Sequence, residues 1–258
     1  MKITIIGAGN MGGAIARGLL AQPDFNPSDL MIAKFAPAAA DTTFAALGCR
    51  TTTDAREACA GADVIIVAVK PWIFEHVARQ IKPFVASAAV VSVVGGVRLV
   101  NLSDHFSSAI FRAVPNTAAS VGESITFMCS EQATAEQRQM VEQLFTSVGS
   151  VTWLDESLFE AATALGSCGI AFAMRYIRAS IEGAVEMGLT STLAQKIVAQ
   201  TLIGAATIIK NNPTAHPEAE VDRVTTAGGI TIRGLNAMED RGFTPSVVAG
   251  LKACKSIK

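Results

Sequence analysis

The segment Gly7-Ala8-Gly9-Asn10-Met11-Gly12 constrains this chain more than any other. It fits the pattern G-x-G-x-x-G, follows the β-branched run Ile3-Thr4-Ile5-Ile6, and opens a stretch of helical periodicity over residues 10–20. In a strand-turn-helix setting each glycine has a physical task. Gly7 permits the tight turn, Gly9 lets the backbone approach a pyrophosphate, and Gly12 lets the helix pack closely on the strand. The helix then presents the free N–H groups of its first turn, at Asn10, Met11 and Gly12, to the anion. An ordinary glycine-rich turn is the alternative.

The first half of the chain alternates strand and helix. Apolar runs predict strands over residues 2–6, 30–33, 63–69, 89–94 and 108–114, with a weak strand over 49–52. Helices are predicted over 37–47, 54–59 and 72–81, then a strand over 122–129, a helix over 134–148 and a last strand over 150–154. Continuous apolar strands with helices between them predict a mostly parallel sheet covered on both faces. The texture changes near Leu154. Residues 155–187 read as one helix or two joined near 166–169, and residues 192–211 as another. A loop over 213–217, a helix from Gly228 to near Gly242 and a final helix from Pro245 complete the chain. The expected fold is α/β, with an N-terminal Rossmann domain over 1–154 and an all-α domain over 155–258.

Half of the 258 residues are hydrophobic and 17% are charged, a surplus that predicts a face buried against another subunit. The net charge is −1 with no run of like charge, which argues against a nucleic-acid partner. No membrane helix is expected, because breakers interrupt each apolar stretch before it reaches about 18 residues. The N-terminal apolar run is too short for a signal peptide. The five cysteines (Cys49, Cys59, Cys129, Cys168 and Cys254) are scattered and form no C-x-x-C pair. Neither a disulfide scaffold nor a metal site is expected, and a cytoplasmic location with reduced thiols is.

The second strand ends at Ala33-Lys34-Phe35-Ala36 with no carboxylate at its tip, since Asp29 precedes the strand and Asp41 falls in the following helix. An acid there would bind the ribose 2′-OH of NAD. Lys34 is placed instead to meet a 2′-phosphate, which favours NADPH, with NADH as an alternative coenzyme and a solvated loop lysine as the plain alternative. Reduction of a carbonyl or oxidation of an alcohol needs a general acid or base. The three histidines (His76, His105 and His216) and the one tyrosine, Tyr176, stand in structural or surface contexts, and residues 163–172 contain no Lys or His. A protonated cyclic imine needs no such group, only alignment and a hold on its carboxylate. Residues 225–231, Thr-Thr-Ala-Gly-Gly-Ile-Thr, offer main-chain amides and hydroxyls for that purpose.

Four motifs in order resemble the pyrroline-5-carboxylate reductase family. They are the Gly7 to Gly12 turn, Ala68-Val69-Lys70-Pro71, Arg112-Ala113-Val114-Pro115-Asn116-Thr117, and residues 225–231 followed by Gly234-Leu235 and Gly242-Phe243. The resemblance implies reduction of 1-pyrroline-5-carboxylate to L-proline. It implies that Ala68, Val69, Lys70 and Pro71 lie against the dinucleotide and that Asn116 lies near the nicotinamide ribose or carboxamide. It further implies that Thr226, Gly228, Gly229 and Ile230 grip the substrate carboxylate, and that Thr231, the catalytic candidate, hydrogen-bonds the ring nitrogen. In that family the helical domain is an interlocked homodimer, in some members part of a higher oligomer, so the site draws on two subunits. The chain departs from the family where Ile170 replaces a proline, Phe172 a tyrosine and Ala227 a proline. A weaker helix kink, a lost hydroxyl and a less rigid turn are expected there. Arg112 is open to two readings, a ligand contact or a buried ion pair. A β-hydroxyacid dehydrogenase or a related imine reductase, and a non-enzymatic dinucleotide-binding module, are the rival functions.

Overall fold

Runs of β-branched residues become strands where both of their faces find cover. In the computed structural model, which describes residues 1–35 and 41–254, the strands are β1 Ile3–Ile6, β2 Leu30–Ala33, β3 Arg50–Thr52, β4 Val64–Val67, β5 Ala89–Ser92, β6 Ile110–Val114, β7 Ser124–Glu131 and β8 Gly149–Trp153. Every residue of β1, β2, β4 and β5 is buried. Side chains alternate between two cores, as the pleat requires. Ile3, Ile5, Ile32, Val64, Ile66 and Phe111 enter one core, and Ile6, Ala33, Ile65, Val67, Val90 and Ile110 enter the other.

The strand order is β3-β2-β1-β4-β5-β6-β7-β8. All neighbouring pairs are parallel except β6 and β7, which run antiparallel. The first six strands have the order of the doubly wound dinucleotide fold, with its reversal of direction between β1 and β4. The helices between them are α1 Asn10–Leu20, α2 Thr42–Ala45, α3 Ala55–Cys59, α4 Phe74–Ile81, α5 Leu99–Ser103 and α6 Ala135–Thr146. The predicted 37–47 helix appears as α2, and its residues 37–40 lie outside the described residues. The short α5 has no counterpart in the sequence reading.

Beyond β8 the chain is helical among the described residues: α7 Phe159–Ala162, a π-helical stretch Thr163–Cys168, α8 Gly169–Glu186, α9 Ser191–Asn211, α10 Pro217–Val224, α11 Ile230–Asp240 and α12 Phe243–Ala253. The stretch predicted as one helix or two is therefore interrupted by a π turn. The loop expected over 213–217 is shorter, because Pro217 starts α10 with His216 as its N-cap. The chain divides into two compact units, Met1–Ile170 and Ala171–Lys258. The first unit runs past Leu154 because Phe159 is buried in the second core and Ala164 is buried as well.

Glu156 does much of the work of joining these first helical turns to the sheet. Its Oε1 accepts from Arg112 Nη1 on β6 and from the Leu99 N–H at the start of α5, both at 2.9 Å, while Arg98 Nε lies 3.6 Å from Oε2. The Arg112 guanidinium also stacks over the Phe159 ring, 4.5 Å from its centroid. Arg112 is thus a half-buried ion-pair partner, close to the second of its two sequence readings.

The second unit has a different character. Across α8 to α12, Ala194 is the sole fully buried residue among those described. Met174 and Ile203 are 60% and 59% exposed, although covering such a side chain fully is worth about 1.5–3 kcal/mol. Phe172, Tyr176, Met238, Phe243 and Val247 line an open apolar groove of about 840 Å³. The continuous helical stretch Glu156–Glu186 and α9 are long and apolar enough to cross a bilayer, with mean hydropathies of 1.4 and 1.3. The expectation that breakers keep every apolar stretch too short is therefore corrected. Glycines such as Gly169 and Gly183 do not end a helix whose neighbouring residues favour it.

The Glu156 hub and the surface pair Arg178–Glu182 separate by magnitude. Glu156→Ala leaves Arg112 without its partner and lowers unfolding free energy by about 3 kcal/mol, whereas Glu182→Ala in the exposed i,i+4 pair costs about 0.5 kcal/mol or less, as denaturant melts of both variants will show.

Candidate functional site

The carboxyl ends of the parallel strands gather the predicted cofactor residues along one edge. Gly7 follows β1, Lys34 follows β2, Ala68-Val69-Lys70 follows β4, and Asn116 follows β6. Ligands of this sheet type bind outside that edge, at the reversal between β1 and β4.

The three glycines of the first turn divide into two kinds. Gly7 has φ +95°, and a methyl group on it would stand 2.8 Å from the Ala68 carbonyl oxygen. A methyl on Gly12 would collide with the Gly7 carbonyl oxygen and press on Ala68 Cβ at 3.0 Å. These two are required by the protein's own packing. Gly9 has an ordinary extended backbone, φ −71° and ψ −159°, and a methyl on it would touch nothing within 4 Å. Its missing side chain serves nothing inside the chain and suits close approach by an external group.

Helix α1 starts at that point with no side-chain cap and no acid in its first turn. The N–H groups of Asn10, Met11 and Gly12 therefore lack capping side chains, and the positive end of the helix dipole is uncompensated. Met11 spends its side chain on the core, so its contribution to a ligand is its main-chain N–H. An anionic pyrophosphate fits this arrangement.

The tip of β2 differs from its sequence reading. Asp41 is not inside a helix but caps the N-terminus of α2, accepting from the Thr43 and Phe44 N–H groups at 2.9 and 3.1 Å. Its other carboxylate oxygen lies 2.6 Å from Lys34 Nζ. A carboxylate does stand at this tip, brought there by the fold. Burial alone would raise the Asp41 carboxyl, but the Lys34 ammonium and the N–H groups of Phe44 and Thr43 outweigh it and hold the carboxyl below its ordinary range.

Asn116 is more committed than expected. It is buried, its side-chain oxygen accepts the Ala118 N–H at 3.0 Å, and its amide donates to the Gly166 carbonyl at 2.9 Å. A π turn frees backbone carbonyls from their usual partners, and Asn116 satisfies one of them. Lys70 and Pro71 open a 3₁₀ turn after β4, with the Lys70 ammonium 6.0 Å from the ring centroid of exposed Trp72. Gly95 and Gly96 are exposed after β5 on the same edge and are not among the candidates above; a double glycine after the apolar run 89–94 is the sequence signal that marks them.

Residues 226–231 lie in the second unit. The Gly229 N–H donates to the Thr226 carbonyl at 2.9 Å, and Gly228 sits between them with φ +70°. That is the geometry of a type II turn, whose third position favours glycine and whose second position, here Ala227, often holds proline. Gly229 is the N-cap of α11, again with no side-chain cap and no acid in the first turn. The Thr226 hydroxyl lies over the turn, 2.6 Å from where a Gly229 methyl would stand. Ile230 is 85% exposed, and Thr226, Gly228 and Thr231 are exposed too. Arg233, not singled out in the sequence, donates to the Gly228 carbonyl at 3.2 Å and puts a cation beside the turn.

Other reactive groups are otherwise engaged. His105 Nε2 lies 2.9 Å from Glu75 Oε2, and His216 Nδ1 accepts the Glu218 N–H. Burial pushes the Cys59 thiol up to about 11 and the Cys129 thiol up to about 12, so neither is a thiolate at neutral pH.

A glycine turn feeding an uncapped helix at the reversal point of this sheet defines a Rossmann-type dinucleotide-binding oxidoreductase with an appended helical domain. The comparisons narrow the class. Residues 2–96 match the family described as NADP oxidoreductase coenzyme F420-dependent, and residues 156–257 match pyrroline-5-carboxylate reductase dimerisation. A pyrroline-5-carboxylate reductase of Synechocystis is 31% identical over 98% of this chain and 95% of its own length. Pyrroline-5-carboxylate reductase 1 of Dictyostelium discoideum is 33% identical over 96% of this chain, which spans about half (48%) of that longer protein. The NADP-bound pyrroline carboxylate reductase of Plasmodium falciparum superposes with a TM-score of 0.88 at 28% identity, covering 98% of this chain and 95% of that one. The chain belongs to the pyrroline-5-carboxylate reductase family.

Two expectations follow. Gly9→Ala leaves the melting temperature unchanged but weakens NADP⁺ binding by about tenfold or more, equivalent to about 1.4 kcal/mol, in a calorimetric titration. For Asp41 the folded carboxyl ionises below the unfolded one, so its contribution to stability is complete above the unfolded value of about 4 and is lost as pH falls through the lower folded value. The melting-temperature gap between the wild type and Asp41→Asn should therefore be open at pH 6 and shrink as the pH is taken down below about 4.

Proposed function

We propose that this chain reduces 1-pyrroline-5-carboxylate to L-proline with NADPH as coenzyme and NADH as an alternative. What supports the reading above all is the turn over residues 226–231. It is largely exposed and has no side-chain cap, with an anion-attracting helix start and no acid in the first turn of α11. The bound nicotinamide supplies the hydride for the imine carbon. The chain's own residues bind and orient. The N–H groups of Gly228 and Ile230 hold the substrate carboxylate, Gly229 shapes their cradle with its own N–H spent on the Thr226 carbonyl, and the Thr226 hydroxyl adds a donor. Thr231 holds the ring nitrogen, so the C=N bond is presented in a fixed orientation. The imine arrives protonated, and no general acid is called for in residues 163–172, where the chain has no Lys or His.

Gly7, Gly9, Asn10, Met11 and Gly12 bind the pyrophosphate, Lys34 the adenosine ribose end, and Ala68 to Pro71 the dinucleotide along the sheet edge. Asn116 acts near the nicotinamide chiefly by fixing the π turn at Gly166. The substrate and dimerisation domain begins at residue 155, where the sheet ends, although the compact unit extends further.

Two protomers interlock through α8 to α12, so that a second copy covers the groove lined by Phe172, Tyr176 and Phe243. A protein partner suits these helices better than lipid. Arg175, Arg178 and Glu182 stand in the body of α8, and a charge at the centre of a bilayer costs about 2.5–3.5 kcal/mol. The enzyme works in the cytoplasm.

Purified protein is expected to oxidise NADPH when 1-pyrroline-5-carboxylate is added and not with hydroxyacid or ketoacid substrates. Thr231→Val is expected to lower kcat/KM by about tenfold or more without weakening NADP⁺ binding. Absence of turnover with either nicotinamide would sink the reading.

A further inference from the structure

This inference rests on the dinucleotide reading above and concerns its adenosine end. The Lys34 ammonium lies 2.6 Å from Asp41 Oδ2, and the two groups are unequal. Asp41 is buried and fixed, because its Oδ1 accepts two N–H groups at the start of α2. Lys34 is pinned at its backbone, where its N–H donates to the Thr52 carbonyl at 3.1 Å, while its side chain is 35% exposed.

The pair stands beside the glycine turn. The Gly7 N–H donates to the carbonyl of Ala33, the residue before Lys34, at 2.9 Å. In a sheet of this order the adenosine ribose lies at that strand tip. A lysine alone there would attract a 2′-phosphate dianion strongly. A buried carboxylate in contact with the lysine cancels much of that field.

We infer that Asp41 sets the coenzyme preference of this chain. As a fixed counter-ion to Lys34 it moderates the pull on a 2′-phosphate, so dinucleotides with and without that phosphate are both accepted. Asp41 acts through Lys34 and is a specificity and positioning residue. Removing its charge has two opposed effects: Lys34 loses the contact that orients it, and the phosphate loses a repelling neighbour. A lysine side chain turns freely toward a new anion, and the phosphate is doubly charged, so the second effect dominates.

The test is calorimetric titration of the full chain with adenosine 2′,5′-bisphosphate and with adenosine 5′-monophosphate at one fixed low ionic strength. Asn and Ser both cap helices, so Asp41→Asn and Asp41→Ser keep the start of α2. Each variant is expected to bind the bisphosphate about tenfold tighter, about 1.4 kcal/mol, with the monophosphate unchanged. Lys34→Met is expected to abolish the preference for the bisphosphate. An affinity ratio unchanged or lowered in both Asp41 variants overturns the role of Asp41 and leaves the dinucleotide reading standing. Failure of the wild-type chain to bind NADP⁺, NAD⁺ or either probe overturns that reading, and this inference with it.

Discussion

The carbonyl oxygen of Gly7 lies so close under helix α1 that position 12 has no room for a methyl group. That contact lays α1 on the sheet with backbone almost touching backbone and aims its first turn at the carboxyl edge. The Gly7 carbonyl and the Ala68 carbon atoms share the same narrow space, so the ends of β1 and β4 are locked to each other as well. The Gly7 N–H ties in the end of β2 through Ala33. Three strand ends and one helix start are therefore set by a single close approach, and the polar groups of the candidate coenzyme site inherit their positions from it.

The two units obey opposite packing logic. In the first, the central strands are covered on both faces, and a carboxylate as valuable as Glu156 is shared among a half-buried arginine, a second arginine and a main-chain N–H. In the second, helices turn large apolar side chains outward and bury almost none of them. Helices packed in that way do not recover the conformational entropy they spend within one chain. The family to which the chain belongs uses this region for dimerisation, and the groove between α8, α11 and α12 has the apolar lining that such a role demands.

Much of this architecture was legible in the sequence because burial on two faces writes itself as unbroken Val, Ile and Ala. The runs ending at Ile6, Ala33, Val67 and Ser92 are readable for that reason. The glycine turn is readable because its chemistry is local. What escaped depends on partners far along the chain or on weak periodicity. Asp41 looks like a helix residue until the fold brings it against Lys34. The reversed direction of β7 leaves no mark in an apolar run. Helix α10, Pro-Glu-Ala-Glu-Val-Asp-Arg-Val, has too little apolar periodicity to announce itself, and its surest sign was the proline at its first position. The commitment of Asn116 to Gly166 spans 50 residues of sequence and could not be seen from either end.

The π turn at Thr163–Cys168 has a bearing on how such a chain can change over time. A π turn is in effect one residue inserted into an α-helix. At 3.6 residues per turn, deleting that residue would swing every later position of α8 by about 100° around the axis. The apolar and charged positions along the helix would each be turned by roughly a quarter of the circumference from where they now stand. No single substitution downstream could undo such a rotation. An exchange of side chains on α8 beyond the turn, as at Ile170 or Phe172, leaves that phase untouched, whereas a change of length within the turn does not.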